Sequence, residues 1–318
     1  MTPWRLLALP PLPLELLNQL FGDPRIEVFV PEERTQQAVD AALPSADLVV
    51  ADWTPLLRLD SPGPRVAFVQ QPSVGYDGTN VEAFAAQGIP VANCAGANAV
   101  SVAEWCLSAT LALLRKTVPA DAAVRRGEWP QTTLGGRELA GNTVGIIGMG
   151  PVGRATAERF RAMGCPVTYW SRSQKADAPA DYLPLADLLA TSDIVIVVIA
   201  LGPETRGLVD AGAMKPGALL VNGARGDVVD EAAMVEALRG GQLAGAALDV
   251  FSIEPLPLDH VLRDLPSVLL SPHMAGSSQQ AAGRIFGQTK ANLLRVLDGQ
   301  PVVDVVNAAP PHVTRRAS

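Results

Sequence analysis

A chain of 318 residues is longer than one hydrophobic core ordinarily serves, so two domains of ordinary size are expected. Apolar residues make up 48% and charged residues 18%, in short runs along the whole length, which excludes extensive disorder away from the two ends. The formal net charge of -7 excludes a general affinity for nucleic acid or an anionic membrane, so a small anionic substrate needs a local basic group.

The apolar stretch from Leu6 to Leu20 is broken by Pro10, Pro11, Pro13 and Glu15 well short of a membrane span or signal h-region, and reads as a strand followed by a helix. Leu6 to Leu9, Ile26 to Val30, Leu48 to Ala51, Val66 to Val69 and Pro90 to Ala92 read as buried strands alternating with helical patterns. Such alternation predicts parallel sheet covered by helices. Ser101 to Arg115 reads as a longer helix placed to join two domains, with Val102, Trp105, Leu107, Leu111 and Leu114 apolar. The stretch from Lys116 to Leu139 has no strand pattern and carries Trp129 among polar and glycine residues, so it is either a surface loop or a dimer arm.

A second alternating series starts at Thr143 and continues through Val167 to Tyr169, Ile194 to Ala200, Ala218 to Val221, Ala246 to Val250 and Val268 to Leu270. After Gly276 the pattern is helical through Ile285, Phe286, Leu293, Leu294 and Leu297, then Pro-rich and basic. If this last helix packs back on the first domain, that domain is discontinuous. Cys94, Cys106 and Cys165 sit in apolar sequence without a CxxC pair, so neither a disulfide framework nor a metal site is expected and a reducing cytoplasm fits.

Within the second series, Thr143 to Ile147 runs into Gly148-Met149-Gly150-Pro151-Val152-Gly153, followed by a helix with Val152, Ala155, Phe160 and Met163 on one face. Glycines between a strand and a helix give a tight turn, close backbone approach and free N–H groups at a helix start, which suit a dinucleotide pyrophosphate. Pro151 suits the first helical turn. An acid that would hold the ribose of NAD is expected about 20 residues on. Trp170-Ser171-Arg172-Ser173 stands there instead, with Lys175 close by, offering positive charge and hydroxyls to a 2′-phosphate. NADP is therefore expected as the preferred cofactor, with NAD also accepted if Arg172 only covers the adenine.

Ligands of open parallel sheets bind beyond the carboxyl ends of the strands. Three polar residues fall there in the second series: Arg225 after Leu219 to Asn222, Glu254 after Ala246 to Phe251, and His273 after Val268 to Pro272. Their chemistry matches reduction of a 2-oxo acid. Arg225 supplies a planar fork of donors for the carboxylate and carbonyl, and His273 a proton for the developing alkoxide. Glu254 beside the imidazolium would stabilise it and fix which ring nitrogen faces the substrate. Taken singly, each has an ordinary structural reading: a salt bridge, a loop acid or a satisfied histidine. His260, in a polar turn, and His312, in the tail, are given no role. Asp249 is read either as an acceptor for the nicotinamide carboxamide or as a turn cap. Ser73-Val74-Gly75, after the strand at Val66 to Val69, is read either as a set of N–H donors for the substrate carboxylate or as a simple turn. Trp53 is expected to sense the substrate side chain.

Together these segments resemble the D-2-hydroxyacid dehydrogenases, with members of the glyoxylate/hydroxypyruvate reductase kind. The likeness runs from Ser73-Val74-Gly75-Tyr76-Asp77 and Gly88-Ile89-Pro90-Val91-Ala92-Asn93 through Ser101-Val102-Ala103-Glu104 and Gly148-Met149-Gly150 to Asn222-Gly223-Ala224-Arg225-Gly226, Leu248-Asp249-Val250-Phe251, Glu254-Pro255 and Ser271-Pro272-His273. The resemblance implies that Arg225, Glu254 and His273 are the catalytic trio and Ser73 to Gly75 the carboxylate loop, and it implies a homodimer and D stereochemistry. Two departures stand out: Val198-Ile199-Ala200 replaces the family's frequent His-x-Pro, and Ser171 stands where NAD-specific members carry an acid.

The expected architecture is α/β with two Rossmann-like domains. A discontinuous, flavodoxin-like substrate domain spans 1–98 and 285–318, and a doubly wound dinucleotide-binding domain spans 99–284 with a candidate dimer arm at 116–140. The expected partners are a small 2-oxo or 2-hydroxy acid and a second copy of the chain, with no nucleic acid, membrane or metal. A reading of another class is a cofactor-sensing regulatory or binding protein of the same fold with little turnover, for which the sequence offers no partner motif. A phosphorylated sugar acid is disfavoured by the lack of a basic cluster in the first domain. Glyoxylate, hydroxypyruvate, pyruvate and bulkier 2-oxo acids remain open.

Overall fold

Short β-branched and leucine-rich runs form the first sheet of the computed structural model, which describes residues 2–54 and 56–316. Residues 1, 55, 317 and 318, all within the expected first domain, lie outside the described residues. The elements are β1 (Trp4–Ala8), α1 (Leu14–Phe21), β2 (Ile26–Phe29), α2 (Gln36–Ala42), β3 (Leu48–Val50), β4 (Phe68–Gln70), α3 (Val81–Ala85) and β5 (Val91–Ala92). The strands are parallel in the order β2-β1-β3-β4-β5. Because side chains alternate across a strand, Leu7, Val49, Val69 and Val91 feed one core and Leu6, Leu48, Val50 and Phe68 the other. Both faces are covered, so these strands read as continuous apolar runs.

The second sheet follows α4 (Ala99–Leu114) and α5 (Thr117–Arg125). Its elements are β6 (Val144–Ile147), α6 (Pro151–Ala162), β7 (Val167–Trp170), β8 (Asp181–Tyr182), α7 (Leu185–Thr191), β9 (Ile194–Val197), β10 (Ala218–Asn222), α8 (Glu231–Arg239), β11 (Leu243–Leu248) and β12 (Val268–Leu270). Seven parallel strands lie in the order β12-β11-β10-β9-β6-β7-β8, the doubly wound arrangement. The order reverses between β6 and β9, and a crevice forms beyond the strands' carboxyl ends at such a point. Ile147, Val195, Val197 and Leu220 pack one face, while Ile146, Ile194, Ile196 and Val221 pack the other with α4 and α6.

The last helix, α9 (Gln279–Leu297), belongs with the first sheet and packs on α1 and β4. Phe286 meets Phe21 edge-on at 6.2 Å, and Leu293 and Val296 complete that core. The chain therefore divides into one unit of Met1–Ala97 with Gln279–Ser318 and another of Asn98–Ser278. The sequence placed residues 279–284 with the second domain. They are instead the start of α9, a continuous helix that cannot leave its first turns in another core. Beyond α9, Val306 donates to Val91 O at 2.8 Å and Val305 bridges Ala92, covering the edge of β5.

A buried carboxylate ties the first unit's ends together. Asp47 Oδ1 accepts from Arg65 Nε and Nη2 at 3.0 and 2.7 Å, and Oδ2 from the Arg5 N–H at 2.9 Å and Arg315 Nη2 at 2.7 Å. Burial pushes this carboxyl upward, but these donors outweigh burial and hold it below its ordinary value. A lowered folded-state value gives stability that is complete above the ordinary carboxylate range and is lost as pH falls through the lowered value. Asp47→Asn is expected to destabilise this unit by about 3–5 kcal/mol at pH 7. Thermal unfolding of both proteins, repeated below about pH 4, should show the gap closing. A gap independent of pH would contradict the assignment.

Candidate active site

The glycine turn joins β6 to α6. Gly148 has φ 106°, outside the range of other residues, and a Cβ there would lie 2.8 Å from Val198 O. A Cβ on Gly153 would lie 1.9 Å from Gly148 O, so the helix seats against the turn only with glycine. Gly150 differs: no atom lies within 4 Å of where its Cβ would be, leaving space at the start of α6. The N–H groups of Met149, Gly150, Val152 and Gly153 donate to no carbonyl among the described residues, and Pro151 has none to donate. Open space, unspent donors and a helix N-terminus are what a pyrophosphate requires, so these residues fit a dinucleotide.

Beyond β7, Tyr169 staples the next turn: its hydroxyl accepts from the Lys175 N–H at 2.7 Å and donates to Lys175 O at 3.1 Å. Ser171 is buried and its hydroxyl donates to Ser173 O at 2.8 Å, so its proton braces the turn. Arg172 is two-thirds exposed, and Lys175 Nζ lies 3.0 Å from Ser173 Oγ. Glu204, which the sequence reading did not consider, sits 3.8 Å from Arg172 in exposed surroundings, where such a pair is worth little.

At the carboxyl ends of β10, β11 and β12 stand Arg225, Glu254 and His273. His273 Nδ1 lies 2.7 Å from Glu254 Oε2, and Glu254 Oε1 accepts the Phe251 N–H at 3.0 Å. Burial raises the Glu254 carboxyl, but the bonds from His273 and Phe251 and the charges of His273 and Arg225 hold it below its ordinary value. It is thus an anion near neutral pH, with His273 Nδ1–H the donor, and His273 Nε2 makes no hydrogen bond among the described residues. The side chain of His273 is 43% exposed. Its backbone has φ 52°, a left-handed conformation that costs a non-glycine residue on the order of 1 kcal/mol. The His273 N–H donates to Asp249 O at 2.8 Å, fixing that conformation.

Arg225 is half-buried, with Nη1 donating to Ala224 O at 2.7 Å and its carbonyl accepting from Asn222 Nδ2 at 3.0 Å. The next residue explains how this loop comes up to the one carrying Glu254: a Cβ on Gly226 would lie 2.0 Å from Phe251 C. Gly226 is a site feature the sequence reading quoted but gave no function. Asp249 is 1% exposed, and its carboxylate accepts from Ser271 Oγ at 2.5 Å, the Met274 N–H at 2.9 Å and the Ala275 N–H at 2.7 Å. Both oxygens being engaged favours the turn-capping reading over a carboxamide contact.

In the first unit, the N–H groups of Ser73, Val74 and Gly75 donate to no carbonyl among the described residues. Trp53 packs on Phe286 at 6.0 Å within that unit. His260 bonds Glu231 through Nε2 at 3.1 Å and its Nδ1 accepts the Leu262 N–H, a capping role, while His312 is exposed. After β9 the Val198 N–H bonds Ile147 O at 2.9 Å, and Thr205 Oγ1 donates to Ala200 O at 2.8 Å, so side-chain bracing orders a segment lacking the family's His-x-Pro.

A model of the D-isomer specific 2-hydroxyacid dehydrogenase NAD binding domain matches residues 107–275, which contain the glycine turn and all three strand-end residues. The glyoxylate reductase of Aeropyrum pernix is 39% identical over 261 residues, 78% of each chain. The D-3-phosphoglycerate dehydrogenase of Mycobacterium bovis is 37% identical over 276 residues, 84% of this chain and 52% of that one. The chain thus spans about half the length of such phosphoglycerate dehydrogenases. The crystal structure of an NADPH-dependent glyoxylate/hydroxypyruvate reductase from Sinorhizobium meliloti, with NADP and malonate, superposes with a TM-score of 0.87 at 28% identity, covering 99% of this chain and 100% of that one. The chain belongs to the D-isomer specific 2-hydroxyacid dehydrogenase family, as its ordered motifs suggested, and its fold is the expected pair of Rossmann-like domains.

Proposed function

We propose that the protein reduces a 2-oxo acid to the D-2-hydroxy acid, with NADPH as preferred reductant and NADH as a poorer one. The observation that carries this reading is the 2.7 Å pair of His273 Nδ1 and Glu254 Oε2, which leaves Nε2 without a hydrogen-bond partner among the described residues. Gly148, Met149, Gly150, Pro151, Val152 and Gly153 hold the pyrophosphate. The nicotinamide, when bound, supplies the hydride that adds to the substrate's carbonyl carbon. Arg225 binds the carboxylate and polarises the carbonyl, and Nε2–H of His273 protonates the oxygen as the carbon–oxygen double bond becomes single. Glu254 stabilises the imidazolium until that proton leaves and fixes the ring's orientation. Ser73, Val74 and Gly75 are assigned to the substrate carboxylate as well, as backbone donors.

Arg172, with Ser173 and Lys175, is assigned to the 2′-phosphate, and Ser171 shapes the turn that presents them. Arg172→Ala should lower kcat/KM for NADPH about tenfold and leave NADH nearly unchanged, the loss of one charge-assisted contact. Steady-state assays with both cofactors test this; a wild-type preference for NADH would contradict it.

A substrate with one anionic group is favoured over a phosphorylated acid. In the first unit Arg34 is tied to Asp52, Arg65 and Arg315 to Asp47, and Arg25 to Asp23 and Asp298. A homodimer is supported by the exposure of Trp129 at 78% and of Val118 and Val124 at 54% and 52%, on and just after α5. Sedimentation of wild type and Trp129→Ala would test it. Three free, buried thiols support the cytoplasm, and no helix among the described residues is long and apolar enough to cross a membrane.

A further inference from the structure

The side chains around Ser73–Gly75 support an inference that rests on the carboxylate reading of that turn. Ser73 O accepts the Cys94 N–H at 3.0 Å, Val74 O accepts Asn93 Nδ2 at 2.7 Å, and Gly75 O accepts the Ser73 hydroxyl at 2.6 Å. In a trans peptide the carbonyl and the following N–H point opposite ways. With the carbonyls of Ser73 and Val74 drawn to the body of the unit, the N–H groups of Val74 and Gly75 face away from it. Neither donates to a carbonyl among the described residues. A short loop left to itself would sample many other orientations of these peptides.

Two buried amides hold the arrangement. Gln71, 3% exposed, donates through Nε2 to Ser73 Oγ at 3.0 Å and to Asp52 O at 2.7 Å, while its Oε1 accepts from Thr79 at 3.3 Å. Every polar atom of its amide is thus used, and its position fixes the hydroxyl that holds Gly75 O. Asn93, 7% exposed, spends Nδ2 on Val74 O while its Oδ1 is buried without a partner among the described residues. An unpaired interior oxygen is unfavourable, and an apolar residue would avoid it. A valine or leucine there would serve packing better, but neither could hold Val74 O.

We infer that Gln71 and Asn93 are positioning residues that preform the turn as a carboxylate nest, and that they set KM for the oxo acid, not the chemical step. Asn93→Asp is nearly isosteric and sets an oxygen against Val74 O; Gln71→Met keeps the volume and removes the donor. With glyoxylate as substrate and oxamate as competitive inhibitor of the NADPH-loaded protein, each variant should raise KM and Ki about tenfold. Their kcat should fall less than about threefold and their Kd for NADPH should not change. In 15N spectra of the wild-type NADPH complex, oxamate should shift the Val74 and Gly75 amides. Amides that ignore oxamate would remove the carboxylate reading itself. Amides that respond, with unchanged KM and Ki or a fall in kcat alone in variants that bind NADPH normally, would overturn the positioning role. If one variant fails to bind NADPH, the other decides, because the two act on different carbonyls.

Discussion

His273→Ala is expected to lower kcat for 2-oxo acid reduction by about a hundredfold or more while leaving the Kd for NADPH unchanged. Removing a general acid that protonates the reacting oxygen costs roughly 10²–10⁴ in rate. The geometry of this residue is consistent with the proposed role. Its backbone is held left-handed by Asp249, its Nδ1 is held by Glu254, and its Nε2 makes no hydrogen bond among the described residues. A histidine serving only the fold would have both nitrogens satisfied, as His260 does. Stopped-flow transients and steady-state rates on NADPH-saturated protein test the role. A kcat within about threefold of wild type would mean that the proton comes from elsewhere.

Arg225→Ala is expected to lower kcat/KM about a thousandfold, mostly through KM, with kcat falling at least tenfold. Hydrogen bonds to a charged group are each worth about 1.5–3 kcal/mol, and a guanidinium offers two to a carboxylate. Part of the loss is expected to fall on kcat, because in the proposed mechanism the same side chain polarises the carbonyl as charge develops. The variant has a second effect, since the Arg225 charge is among the influences that hold Glu254 low. Arg225→Lys keeps the charge and loses the fork, so it should recover less than a tenth of the lost kcat/KM. Equal recovery by lysine would show that charge alone matters, and an unchanged KM in Arg225→Ala would remove it from substrate binding.

Most of the fold was legible because its strands are buried on both faces and so are written as unbroken apolar runs, as at Leu48–Val50 and Ile194–Val197. Where the run and the ladder differ, tertiary pairing decided. The run at Val66–Val69 became a strand at Phe68–Gln70, since only those residues face β3 in register. The predicted strand at Ile194–Ala200 stops at Val197, where the chain turns over Gly148. β8 at Asp181–Tyr182 carries no apolar run and is defined only by pairing with β7. Helix α5 follows a left-handed Lys116 and contains Pro119, neither of which signals a helix.

In the candidate site, the residue types were legible and their support was not. Arg225, Glu254 and His273 could be picked out because each follows an apolar run and their chemistries complement one another. The close approach at Gly226, the left-handed His273 and the three bonds that occupy Asp249 arise from loops meeting in space, and no local spacing encodes them. Ser171 illustrates the difference. Sequence offers its hydroxyl to a phosphate, whereas folding buries it against Ser173 O, leaving Arg172 to present charge.

The most direct test of the central claim is NADPH oxidation, followed at the nicotinamide absorbance, with glyoxylate, hydroxypyruvate, pyruvate and bulkier 2-oxo acids. Turnover of at least one of them to a D-2-hydroxy acid is expected, slowed about a hundredfold or more by His273→Ala. No turnover of any of these acids at high enzyme concentration, with NADPH still bound, would contradict it.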